Sequence, residues 1–482
     1  MAGKAKPLSA MSADADAPTP PLGASLQLDA AAAGAYFVSV EQALQRLGAP
    51  PDRSTEQRTR AQGLKSRARA LREDFFRRHA AEIYDDITDG CTTPRRVADV
   101  VYTAAERYRG LLPTRAEIDG ERALKRQIAK EGREIDQGLF VAHVLADPRC
   151  GMHLIHAMLK PRREAETKLA EFRRSGRVDL GPAVVERKDT IGHVTLANPK
   201  FLNAEDDAAT AALEIAVDLV LLDERIEVGV LRGGVLDHAK YANRRVFNAG
   251  INLTHLFYGQ ISFIEFFIER ELGLLHKLYR GHWMSPSYHE QFEDYVEKPW
   301  LAAVEAFAIG GGCQILCIMD RVIAEPGAYF TLPASKEGFM PGCANLRLPR
   351  LVGIQLARQA IFFERPFHVD TPEGMQICDE VVPAGEMDAA IARNTAQMTR
   401  AGLTSAVSNR KGLRVGQEPL DDFRRYMATY ARQQSLCLYD PKLIDNLEHS
   451  WQPQQRRSGA AARGTARLLA TQPARAQAAA LG

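Results

Sequence analysis

Three consecutive glycines, Gly310-Gly311-Gly312, stand between a strand-like run at residues 301–309 and a short helical stretch at 314–319. A turn without Cβ atoms lets a ligand come up against the backbone N–H groups at a helix N-terminus, where the helix dipole favours negative charge. Glycines in such a turn serve equally well to pack a helix tightly on a strand, so the triplet alone decides nothing. A second turn of the same kind lies at Phe247-Asn-Ala-Gly-Ile-Asn-Leu253, which also follows a strand and leads into a helical stretch. Two such turns can converge on one oxygen. The chemistry they would serve is stabilisation of negative charge developing on that oxygen.

Other reactive side chains form no comparable pattern. The seven cysteines are odd in number and include no C-x-x-C pair, so neither a disulfide framework nor a zinc site is encoded. Cys313 and Cys317 are read as buried, inert thiols on one helix face. His153 and His156 are three apart with no carboxylate at helical spacing beside them, and they are read as a partly exposed helix face. There is no H-x-E pattern and no G-x-G-x-x-G after a strand, so neither a non-haem iron site nor a dinucleotide site is expected. The expected cofactor is none.

Lys and Arg number 62 against 60 Asp and Glu, a net charge of +2, which gives no global field for nucleic acid or an anionic membrane. The partner is expected to be small. The greasiest stretch, residues 261–268, is interrupted by Glu265, and the first residues lack an apolar core for a secretory signal. With unpaired cysteines this predicts a soluble, cytoplasmic protein.

The elements that must hold the two turns follow from texture. Residues 31–180, rich in Arg, Glu, Ala and Leu, predict an all-helical N-terminal domain behind a disordered tail at 1–30. Near residue 180 the pattern changes to a hairpin, Ala183-Val-Val-Glu-Arg and His193-Val-Thr-Leu-Ala around Asp189-Thr-Ile-Gly. A helical stripe at 206–223 and an apolar strand at 228–231 then predict a parallel βαβ unit, and 264–280 predicts another helix. The core domain spans 181–395, a C-terminal helical segment 396–454, and a disordered Ala/Arg-rich tail 455–482. The helix at 420–438 is a plausible packing element between protomers.

Four blocks in order then carry a resemblance. They are Asn198-Pro-Lys-Phe-Leu-Asn203-Ala; the turn at 247–253; the glycine triplet; and Phe330-Thr-Leu-Pro-Ala-Ser with Gly338-Phe-Met-Pro341-Gly and Leu348-Pro-Arg-Leu-Val-Gly353. Over residues 183–385 they resemble the crotonase (enoyl-CoA hydratase/isomerase) superfamily. The resemblance implies an α/β fold, a crotonase-like spiral of ββα repeats, here preceded by the helical domain and followed by C-terminal helices. It implies an acyl-CoA ligand and an oxyanion hole from the N–H groups of Ile251 and Gly311, with Ala249, Gly250, Asn252 and Gly312 lining the substrate. His238, Ala239, Lys240 and Tyr241 fall where the family receives the CoA moiety, although a solvated basic loop explains that stretch nearly as well. A homotrimer or hexamer is implied too.

The departures from the family are informative. Hydratases place glutamates where this chain has Gln314 and Ala334; Gln exchanges no proton near neutral pH and Ala carries no polar group, so water addition by paired carboxylates is not supported. Together with the helical domain and the apolar Ile251, Leu253, Ala334 and Phe339, this resembles the family's cofactor-independent dioxygenase branch. That branch implies oxidation of an arylacetyl-CoA, 3,5-dihydroxyphenylacetyl-CoA, by O₂ to the arylglyoxylate and free CoA, in the making of non-proteinogenic amino acids for glycopeptide antibiotics. Gln314, Glu205 and Arg270 would grip the ring hydroxyls, and Leu253, Ala334 and Phe339 would line an O₂ pocket. Glu205 reads equally as a helix N-terminal acid, and Arg270 as a surface partner of Glu265 or Glu269. A crotonase-fold hydrolase or isomerase, or a catalytically silent acyl-CoA-binding scaffold, are the competing readings.

Overall fold

The computed structural model describes residues 15–16, 18–236, 241, 244–284 and 295–451. The tail readings for residues 1–14 and 455–482 lie outside this set. Order begins within the stretch read as the first tail. Ser25 caps helix α1 (Leu26–Arg46) by accepting from the Leu28 N–H at 3.4 Å, and Asp29 accepts from the N–H groups of Gly23 and Ala24. Six helices follow: α2 (Thr55–Thr88), α3 (Val97–Arg107), α4 (Arg115–Ala123), α5 (Glu134–Ala146), α6 (Pro148–Met158) and α7 (Arg163–Ser175). A Ser54/Gln57 capping box satisfies the first amides of α2, which stops where Asp89 turns left-handed at φ 51°. His153 and His156 on α6 are buried, not exposed. The Tyr84 hydroxyl lies 2.7 Å from His153 Nδ1, and His156 stacks on Trp283 at 4.1 Å between ring centroids. Both partners are remote in sequence, so helical spacing gave no sign of them.

The sheet starts with β1 (Arg177–Asp179), β2 (Ala183–Lys188) and β3 (Ile191–Leu196), all antiparallel. Helix α8 (Asp207–Leu222) then crosses to β4 (Val228–Gly233), which lies parallel to β3 with Ile191 opposite Val228. This is the βαβ unit the pattern predicts. Helix α9 (Leu253–Phe257) follows the second glycine turn, and two π-helical segments, Phe263–Ile268 and Arg270–Leu275, run into α10 (His276–Arg280). A two-stranded antiparallel pair, β5 (His282–Trp283) and β6 (Tyr295–Val296), precedes a repeat. Strand β7 (Trp300–Val304) joins the large sheet, β8 (Phe307–Ile309) a small one, and α11 (Gly311–Leu316) returns. Then β9 (Arg321–Ala324), β10 (Tyr329–Thr331) and α12 (Ala334–Glu337) do the same, with β7 parallel to β9 and β8 parallel to β10. The single strand expected at 301–309 is therefore two strands in two sheets. The chain bends at Glu305, whose carboxylate pairs with Arg232.

After α13 (Ala344–Phe363), β11 (Phe367–His368) and β12 (Glu380–Val381), the large sheet has the order β1-β2-β3-β4-β7-β9-β12 and the small one β11-β10-β8. Helices α14 (Met387–Met398), α15 (Leu403–Gln417), α16 (Leu420–Cys437) and α17 (Pro441–Asp445) complete the described chain. One apolar core joins the large sheet to α8, α11 and α13. A second runs from α1, α2, α5 and α6 through residues 256–272 to Ala334, Phe339 and α16. Helix α16 lies against α5 so closely that a Cβ on Gly138 would come within 2.9 Å of the Ala431 carbonyl oxygen. The apolar face of α16, expected to pack between protomers, is thus buried within the chain. No helix among the described residues is long and apolar enough to cross a membrane.

Candidate active site

The two glycine turns meet. Gly250 takes φ 82° and Gly310 φ 53°, left-handed values that disfavour any side chain. A Cβ on Gly250 would lie 3.4 Å from the Gly311 nitrogen, so the segments are in backbone contact. Tight ladder bonds hold them: Glu205 N–H donates to the Gly250 carbonyl and Asn252 N–H to the Glu205 carbonyl, both at 2.7 Å, while Ile309 N–H donates to the Asn248 carbonyl at 2.9 Å. The N–H groups of Ile251 and Gly311 have no hydrogen-bond partner among the described residues. Gly311 opens α11, where the first amides lack intrahelical acceptors.

Both turns open on one cavity of about 540 Å³, whose wall includes Glu205, Ala249, Gly250, Ile251, Asn252, Leu253, Arg270, Gly311, Gln314, Ala334 and Phe339. Sequence reasoning named all of these. Gly312 is not part of the wall; a Cβ there would meet Asn248 Cβ at 2.8 Å, so this glycine serves turn-to-turn packing rather than ligand contact. The Asn252 side chain accepts from His255 N–H at 3.1 Å and donates to Asp206 at 3.3 Å, which fastens the start of α9. Tyr241 packs edge-on against Phe307 at 5.5 Å and lies outside the cavity wall. His238, Ala239 and Lys240 lie outside the described residues.

A buried ion pair ties the turns together. Arg270 Nε donates to Glu205 Oε2 at 2.5 Å, Nη1 to Glu271 Oε1 at 2.6 Å and to Gln314 Oε1 at 2.7 Å, and Nη2 to the Gly311 carbonyl at 2.9 Å. Asn248 bridges to the other turn, donating to Glu205 Oε1 at 2.7 Å and accepting from Gly250 N–H at 2.6 Å. A Cβ on Gly311 would lie 2.7 Å from Glu205 Oε2 and 2.9 Å from Arg270 Nη2. Burial alone would lower the Arg270 pKa; the charges of Glu205 and Glu271 outweigh it and hold the guanidinium above its ordinary value. The surface pairings considered for Arg270 do not occur: Glu265 pairs with Arg115, and Glu269 with Arg96 and Arg162. Nor does Glu205 cap a helix; Asp206 caps α8, accepting from Ala209 N–H at 2.9 Å.

The sequence reading missed Thr254, Phe266, Phe267 and Trp451 of the wall, and four further residues that bear on the chemistry. Asn248 stood inside a quoted motif, and Glu271 stood beside Arg270. The wide π-helical turns bring both 270 and 271 to one side, a placement that 3.6-residue spacing does not foresee. Tyr430 of α16 reaches the cavity from the C-terminal helices, and burial, then the charge of Glu271, holds its hydroxyl well above the usual range and so neutral. Glu337, the last residue of α12, also lines the wall.

Turns of strand, strand and helix around two converging amides define the class: the chain belongs to the enoyl-CoA hydratase/isomerase family, whose profile matches residues 186–418. Within it, the chain is 44% identical to the (3,5-dihydroxyphenyl)acetyl-CoA 1,2-dioxygenase of Amycolatopsis orientalis, over 88% of this chain and 96% of that protein. A short-chain-enoyl-CoA hydratase of Clostridium acetobutylicum is 28% identical over 44% of this chain and 72% of its own length. Among solved structures, an enoyl-CoA hydratase from Mycobacterium avium subsp. paratuberculosis is 19% identical with a TM-score of 0.46, covering 58% of this chain and 97% of that one.

Proposed function

We propose that this chain is a cofactor-independent dioxygenase that converts (3,5-dihydroxyphenyl)acetyl-CoA and O₂ into the arylglyoxylate and free CoA. Near-complete coverage of the Amycolatopsis orientalis dioxygenase supports it. The single structural observation that carries it is the pair of unsatisfied amides of Ile251 and Gly311, beside Gln314 and Ala334 where hydration would need glutamates.

In this reading the two amides hold the thioester oxygen and stabilise the enolate formed when the α-carbon loses a proton; one such donor is worth roughly 3–4 kcal/mol of transition-state stabilisation. Gln314, its carbonyl held by Arg270, turns its N–H₂ to a ring hydroxyl, with Glu205 as acceptor. Leu253, Ala334 and Phe339 leave an apolar space suited to O₂, which needs no hydrogen bond. The enolate reduces O₂ to a peroxide at the α-carbon, the peroxide attacks the thioester carbonyl and expels CoA thiolate, and loss of the second α-proton breaks the O–O bond to leave the α-keto carboxylate. Both oxygens of O₂ and both α-hydrogens are then accounted for in the arylglyoxylic acid and the thiol. The stretch 238–241 would take the CoA phosphates. Seven free thiols support a cytoplasmic setting, and Ile354, Phe362 and Phe363 exposed on α13 support an oligomer, trimer-based as in the family at large.

An oxygen-electrode trace with metal-stripped enzyme and (3,5-dihydroxyphenyl)acetyl-CoA tests the proposal: one O₂ consumed per CoA released is expected. CoA release that continues at full rate without O₂ would replace it with a hydrolase.

A further inference from the structure

Three carboxylates line the cavity: Glu205, Glu271 and Glu337. The first two are committed. Glu205 accepts from Arg270 and Asn248, and Glu271 accepts from Arg270 through Oε1 and from Cys343 N–H at 3.2 Å through Oε2. Their oxygens are already taken up by these donors. Glu337 differs, having no hydrogen bond and no ion pair from its carboxylate among the described residues. Its neighbour Lys336 is turned away to Glu364, Nζ to Oε2 3.3 Å. Glu337 stands three residues after Ala334 on α12, so the two share a helix face, and both line the cavity. The carboxylate missing at position 334 is thus replaced by one a helical turn further on.

We propose that Glu337 is the general base that removes the α-proton from the bound thioester, an inference that rests on the reading above. The C–H bond breaks, an O–H bond forms on Glu337, and the electron pair passes onto the thioester oxygen between the Ile251 and Gly311 amides. The step itself needs no oxidant. Burial pushes the Glu337 carboxyl up to about 7, with Lys336 opposing and Glu364 adding to the shift. The other charged or titratable groups in the wall are Lys200, Glu205, Arg270, Glu271 and Tyr430. A base poised near the working pH is the efficient choice.

The test compares full-length wild type with Glu337→Gln and Glu337→Asp on (3,5-dihydroxyphenyl)acetyl-CoA, following O₂ uptake in air and α-hydrogen exchange in D₂O under argon. Glu337→Gln should lose about 10²–10⁴-fold in kcat with KM little changed, and Glu337→Asp should recover part of it. The wild-type rate should rise with pH through about 7, and the residual Glu337→Gln rate should lack that limb. Glu337→Gln within threefold of wild type, or with the same pH limb, overturns the assignment and leaves the dioxygenase intact. Exchange that depends on Glu337 without O₂ uptake keeps the base and removes the dioxygenase. Wild type that does neither overturns both.

Discussion

Two buried charge clusters flank the same π-helical segment, and they differ in one respect. On one side Glu269 joins Arg96, Arg162, Glu214, Asp218, Lys277 and His282. Lys277 Nζ lies 2.8 Å from both Glu214 and Asp218, Arg96 and Arg162 each reach Glu214 at 3.0 Å, and His282 meets Asp218 at 2.8 Å. On the other side Arg270 and Glu271 join Glu205, Gln314 and Asn248. The first cluster is closed to the cavity, none of its residues standing in the wall; burial pushes Glu214 and Asp218 up, and the opposing charges outweigh it and hold both below the ordinary carboxylate range. The second opens on a cavity and stands beside two amides with nothing to donate to. Buried charge by itself marks structure as readily as function. A site is distinguished by hydrogen-bond donors left unused where they face a cavity.

The sharpest way to break this comparison is to disturb the closed cluster. Lys277→Met takes the shared cation from two buried carboxylates, leaving Glu214 to Arg96 and Arg162 and Asp218 to His282, and should cost roughly 3–5 kcal/mol in denaturant unfolding, with kcat of the folded fraction unchanged. A large loss of kcat at full stability would erase the distinction. Next, Gly311→Ala forces a Cβ into the Glu205–Arg270 pair and should misplace the oxyanion amide, lowering kcat by about 10²–10³-fold in steady-state assays. Glu205→Gln keeps the shape and weakens the charge-assisted bonds to Arg270, worth about 1.5–3 kcal/mol; a fall of roughly ten- to hundredfold in kcat/KM is expected.

The smallest effect concerns protons on the structural side. Burial lowers His153 to about 4 and His156 to about 3, so each is neutral when folded and binds fewer protons than when unfolded. Their contribution is complete above the unfolded value of about 6.5 and is lost as pH falls toward the folded values, about 0.7 kcal/mol per histidine between pH 7 and 6. Thermal melts should drop over that interval, and His156→Phe should reduce the drop.

The fold class and most of the cavity wall were readable in the sequence, because glycines at strand-to-helix turns are required by backbone geometry and leave their spacing in the chain. Gln314 and Ala334 were readable as absences against that spacing. The partners of Arg270 were not: three acids neighbour it in sequence, and distant arginines, Arg115 for 265 and Arg96 with Arg162 for 269, leave 271 to it. Burial of His153 and His156 depends on Tyr84 and Trp283, and Tyr430 belongs to another helix altogether; contacts at such separations leave no local period.

Tyr430 and Trp451 line a cavity whose glycine turns come far earlier in the chain. A ribosome therefore finishes both turns well before it makes the helix that seals them. Without α16 on α5, one wall of the compartment is missing and the two amides face solvent that would quench a carbanion. The compartment is complete only with the C-terminal helices in place.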